Sequence, residues 1–127
     1  MSECRVQQID HVELFVPDRH EAARWYEQTL GLRIVPELEF WANDPGGPLM
    51  IAAGTTRLAL FTGAPRSEGG FRRVAFLVDG PAFVEFCRRP GMEIVDHQKS
   101  WSVYFSDPYG HPLEVTTYDY DYVAGQR

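Results

Sequence analysis

Hydrophobic and polar positions alternate along residues 7 to 16. Val12, Leu14 and Val16 fall on one face of an extended segment, and Ile9, His11, Glu13 and Phe15 on the other. Pro17 has no backbone donor and ends the pairing. Asp18 followed by Glu21 is a helix-start pattern, and the spacing predicts a helix to about Thr29. Ala22, Tyr26 and Leu30 form its inner stripe with Trp25 beside them, and Gly31 is placed for a left-handed cap. A strand over 32–41, bent or interrupted at Pro36, should follow. Residues 43–48 are a loop by composition and a candidate lid. Residues 49–53 and 57–62 read as strands joined by a short turn. The stretch 63–70, rich in Gly, Pro and Ser, is the strongest linker signal in the chain.

The second half runs in the same order. Residues 71–78 read as a strand, and Asp79-Gly80-Pro81 opens a helix carrying Phe83, Val84, Phe86 and Cys87. Pro90-Gly91 ends it. Strands are expected over 92–97, 101–105 and 112–118, with Asp107-Pro108-Tyr109-Gly110 as a turn. The tail, 119–127, is expected to be loosely ordered. The halves form an internal repeat. Gly31-Leu32-Arg33-Ile34-Val35 returns as Gly91-Met92-Glu93-Ile94-Val95, and His11-Val12-Glu13-Leu14-Phe15-Val16 as Arg73-Val74-Ala75-Phe76-Leu77-Val78. Leu58-Ala59-Leu60 matches Leu113-Glu114-Val115. Each half is a βαβββ unit, so 1–127 is read as a single α+β domain: module one over 7–62, the linker over 63–70, module two over 71–118 and the tail. Two such units can form a curled mixed sheet around a cleft.

Composition narrows the function classes. The 127 residues are 44% hydrophobic and 24% charged, values of a globular chain. The formal net charge of −6 argues against general nucleic-acid binding and against an anionic membrane surface. No apolar run reaches the roughly 20 residues of a membrane span, and the N-terminal residues have no signal-peptide core. Cys4 and Cys87 lack metal spacing and are too few for a disulfide framework. The expected compartment is the cytoplasm.

Three segments carry a resemblance: Ile9-Asp10-His11-Val12, Trp25-Tyr26-Glu27-Gln28-Thr29-Leu30-Gly31-Leu32, and Asp107-Pro108-Tyr109-Gly110-His111-Pro112-Leu113-Glu114-Val115. With the duplicated βαβββ pattern, they make the chain resemble the vicinal oxygen chelate superfamily over about residues 7 to 118. That superfamily includes glyoxalase I, extradiol dioxygenases, fosfomycin resistance enzymes and bleomycin resistance proteins. The resemblance implies its fold, a small-molecule ligand and a homodimer. In metal-dependent members the ligands come from four equivalent strand positions, which fall here on His11, Ala59, Arg73 and Glu114. His11 and Glu114 match the ligand types. Ala59 has no donor atom, and a guanidinium is not a usable ligand.

Two function readings follow. In the first, the protein binds a small, partly aromatic molecule without a resident metal, in a cleft lined by His11, Glu13, Phe15, Arg73, Trp101 and Glu114 together with further aromatics. Arg73 would then stand in for the metal, its guanidinium paired with Glu114. In the second, His11 and Glu114 hold a divalent iron, manganese, zinc or nickel ion in a lyase or extradiol-type dioxygenase. His97 is a further candidate ligand if its strand points inward. His20 reads as a solvated helix residue, His111 as a packing or capping residue, and Cys87 as a buried packing thiol. Phe40, Trp41, Tyr104 and Tyr109 could supply stacking walls or core.

Overall fold

The computed structural model describes residues 4–5, 7–64 and 73–127. The chain separates into two compact units, Met1–Arg66 and Ser67–Arg127. The expected linker lies mostly outside the described residues, as does the start of the strand placed at 71–78.

In the first unit, β1 (Val12–Val16) leads into α1 (Arg19–Leu30), then β2 (Arg33–Ile34), a 3-10 segment (Pro36–Asn43), β3 (Leu49–Ala53) and β4 (Thr56–Thr62). The strands form one mixed sheet in the order β1-β4-β3-β2, with β1 parallel to β4 and the other pairs antiparallel. Asp18 caps α1, its carboxylate accepting from the backbone N–H groups of His20 and Glu21, and Gly31 ends the helix at φ 75°. Ala22, Ala23 and Tyr26 are the buried helix residues. Leu14, Val16, Leu49, Ile51, Leu58 and Leu60 are buried on the sheet face with that parity. The alternate residues, Glu13, Phe15, Met50, Ala59 and Phe61, therefore belong to the other face.

The expected strand over 32–41 is short. After Val35 donates to the Met50 carbonyl, the chain turns into the 3-10 segment at Pro36. Proline suits a first helical turn, and the acidic Glu37 and Glu39 follow it. Phe40 and Trp41 are exposed on this segment rather than paired in a sheet. The 43–48 loop is pinned to α1. The Arg19 guanidinium donates to the carbonyls of Ala42 (3.0 Å), Asp44 (3.3 Å) and Gly47.

The second unit repeats the plan with β5 (Val74–Leu77), α2 (Gly80–Phe86), β6 (Glu93–Asp96), β7 (Trp101–Ser106) and β8 (Pro112–Thr117). Its mixed sheet has the order β5-β8-β7-β6, with β5 parallel to β8. Register confirms the internal repeat: Glu13 pairs with Ala59 in the first sheet, and Ala75 with Glu114 in the second. The Glu–Ala pair is kept and its members are exchanged.

Where a loose tail was expected, residues Tyr120–Gln126 form a third helix, α3. Its anchors are distant in sequence. The Tyr120 hydroxyl donates to the Asp96 carboxylate at 2.7–2.8 Å, and its ring stacks on Trp101 at 5.5 Å. The Trp101 indole N–H donates to the Tyr120 carbonyl, and Asp119 accepts from the Gly80 N–H at 2.6 Å. A Cβ at Gly80 would lie 2.7 Å from the Tyr122 ring, so close approach of α2 and α3 needs glycine there. No helix among the described residues is long and apolar enough to cross a membrane.

Candidate functional site

The open face of the first sheet carries a pocket of about 510 Å³. Ala59 on β4 keeps its floor low, and Met50 and Phe61 flank it. Leu38 and Trp41, brought in by the 3-10 segment, form a wall. The volume falls within the usual range of small-molecule sites.

One end of the pocket is ionic. His11 sits just before β1, with Nδ1 2.8 Å from Asp10 Oδ2 and Nε2 3.0 Å from Glu13 Oε2. With a proton on each nitrogen, the ring donates to both carboxylates. Its pKa is raised, first by the hydrogen bond to Asp10 and then by that to Glu13, against the opposing effect of burial. Arg57 donates to the other Asp10 oxygen at 2.9 Å. The hydrogen bond with His11 is the main cause of the lowered Asp10 pKa, with Arg57 adding to it. When His11 is protonated, two cations face two carboxylates at this rim.

The other residues predicted for a cleft are distributed differently. Phe15 shares the strand face of Glu13 but packs toward Phe61, ring centroids 6.2 Å apart, and does not line this pocket. Trp101 is 7% exposed and covered by α3, which occupies it as a packing residue. Glu114 shares a face of the second sheet with Tyr104 and Ser102 and accepts from the Ser102 hydroxyl at 2.7 Å. Arg73 does not pair with it. Its guanidinium lies over the Tyr104 ring, 4.3 Å from the centroid, because Tyr104 is the strand partner of Glu114 and offers a broad π face. His97 meets the Tyr104 hydroxyl at 2.8 Å. His111 is buried, with Nδ1 2.6 Å from Asp107 Oδ2, while Asp107 Oδ1 accepts from the Tyr109 and His111 N–H groups. The Asp107-to-His111 motif is thus a turn held by its own carboxylate. Burial raises the Cys87 pKa, which suits a packing thiol.

Arg57, Met50, Leu38 and Pro48 line the pocket without having been singled out in the sequence. The sequence signal for Arg57 and Met50 was strand parity, since both alternate with buried leucines and isoleucine.

Residues 8–115 match the Glyoxalase/Bleomycin resistance protein/Dioxygenase superfamily, and the chain belongs to it. No curated protein sequence matches the chain. Solved structures share the fold. A glyoxalase family protein from Bacillus anthracis superimposes with a TM-score of 0.70 at 24% identity, covering 92% of this chain and 99% of the other. The oxidase ChaP-H2 does so with a TM-score of 0.65 at 23% identity, covering 89% and 94%. A mutant of the fosfomycin resistance protein FosX from Listeria monocytogenes, complexed with Mn(II) and 1S,2S-dihydroxypropylphosphonic acid, gives 0.65 at 15% identity, covering 87% and 90%.

A divalent metal of the kind that FosX structure holds does not fit the donor set present here. Ala59 offers carbon and Arg73 a cation at two of the four expected positions. Asp10 and Glu13 contact opposite nitrogens of His11, so the three do not converge on one point. Among the described residues, no group of three or more His, Cys, Asp or Glu is placed to hold a metal.

Proposed function

We propose that this protein is a metal-independent small-molecule-binding member of the superfamily that takes an uncharged, partly aromatic ligand in the module-one pocket. The observation that supports this most is the pairing of an apolar wall (Leu38, Trp41, Met50, Phe61) with an ionic rim whose charges cancel when His11 is protonated. A flat ring gains burial and stacking against Trp41. A ligand hydroxyl or carbonyl can exchange hydrogen bonds with His11 or Glu13 at the rim. A net-charged ligand would meet a neutral rim and lose its hydration without compensation. The protein acts in the cytoplasm as a homodimer, the commonest closed assembly.

The test uses untagged protein and 2-naphthol as the probe. Titration should shift the Trp41 indole N–H resonance saturably, and Trp41→Leu should weaken binding about tenfold or more, the usual scale for losing an aromatic contact. Stoichiometric divalent metal retained after dialysis against a weak chelator would overturn the metal-independent reading in favour of the lyase or dioxygenase. Light scattering that shows only monomer at micromolar concentration would remove the dimer.

A further inference from the structure

The face of the second sheet that bears Ser102, Tyr104, Glu114 and Thr116 carries polar groups that satisfy one another, with a single exception among the described residues. The Ser102 hydroxyl donates to Glu114 and lies 3.1 Å from the Thr116 hydroxyl, which in turn donates to the Trp101 carbonyl. Tyr104 is paired with His97. Arg73 stands apart. Its Nε is buried with no hydrogen-bond partner, and among the described residues no carboxylate lies within ion-pair distance of its guanidinium. A desolvated donor on a permanent cation is costly to leave unmatched. The guanidinium is nevertheless held in place: Tyr104 supports one face of it, and His97 fixes the Tyr104 hydroxyl. A held cation whose Nη groups carry no protein acceptor among the described residues is a preformed receptor for an oxyanion.

We propose that Arg73 anchors a carboxylate ligand on the second sheet. An N–H from each of the two Nη groups forms a planar fork that matches the two oxygens of a carboxylate in parallel hydrogen bonds. Arg73, Ala75 and Leu77 alternate onto one face, and Leu77 is 71% exposed. An apolar body carried by the carboxylate can lie along Ala75 toward Leu77 and cover it. Glu114, whose carboxylate accepts from the Ser102 hydroxyl, repels a second carboxylate that strays from the Arg73 fork. The ligand class is therefore a small apolar monocarboxylate. The proposed site is built from residues of the second unit alone.

The side-chain Nε–H of arginine gives its own resonance, so the test reads Arg73 directly. Benzoate is the probe, with sodium chloride at matched ionic strength and inorganic phosphate as the other arms. Benzoate should shift the Arg73 Nε–H saturably and leave the Trp41 indole N–H in place. Arg73→Met should abolish saturable binding. Tyr104→Leu keeps the cation but removes its support, and should weaken binding at least about fivefold, on the scale of a cation–π contact. It keeps the proposal testable if Arg73→Met fails to fold. An Arg73 resonance that is unmoved by benzoate, or moved equally by chloride, overturns the site. Phosphate binding as tightly as benzoate overturns the carboxylate assignment. Movement of Trp41 alone would place benzoate in the other pocket and likewise refute the proposal.

Discussion

The Nε2 atom of His11 lies 3.0 Å from the Oε2 atom of Glu13, two residues along the same strand face, while Nδ1 is held by Asp10. The imidazole is therefore clamped at both nitrogens and favours its charged form. Because the folded-state pKa is raised above the ordinary 6.5, the stability this cation brings is complete below that value and is lost as pH rises through the folded midpoint. Histidine ring NMR should place the His11 midpoint above 6.5, and Asp10→Asn should lower it. The thermal stability difference between the parent and His11→Gln should be below about 1 kcal/mol, present at pH 6 and absent above the His11 midpoint. A His11 midpoint at or under 6.5 would contradict the geometry.

The Asp107 carboxylate holds a turn and a buried histidine together. Asp107→Ala leaves the N–H groups of Tyr109 and His111 and the His111 ring without their acceptor. Chemical denaturation should show a loss of about 3 kcal/mol, with the denaturant slope unchanged. A loss under about 1 kcal/mol would mean the carboxylate is dispensable to the turn.

Arg19 holds three carbonyls of the loop beside the pocket. Arg19→Ala should accelerate amide exchange at Gly46 and Gly47 relative to the strands, with a global cost of about 1–2 kcal/mol. Exchange that is unchanged at these amides would show that the loop is ordered by other contacts.

Gly80→Ala places a methyl group against Tyr122 and Asp119. Displacement of α3 should expose Trp101, red-shifting its emission, at a cost of about 1–3 kcal/mol. An unchanged emission maximum would show that the helices separate without disturbing the tryptophan.

The local pattern of the chain determines much of this protein. Alternation at Val12, Leu14 and Val16 assigns the buried face of β1, and so turns His11 and Glu13 outward. Asp18 and Gly31 delimit α1 because their side-chain oxygen and missing Cβ act on neighbouring backbone. The repeat aligns Glu13–Ala59 with Ala75–Glu114 because both pairs occupy one register position in a duplicated sheet. Contacts far apart in sequence decided the rest. Residues 36–43 are apolar enough for a strand, yet no strand pairs with them, and Pro36 favours a helical turn. Residues 120–126 become a helix because Asp96, Trp101 and Gly80 receive them. Arg73 abandons Glu114 because the Tyr104 face lies within reach and Ser102 already serves the carboxylate. Strand parity and caps are properties of a few adjacent residues. A competition between two partners for one guanidinium is settled only when the strands have been laid side by side.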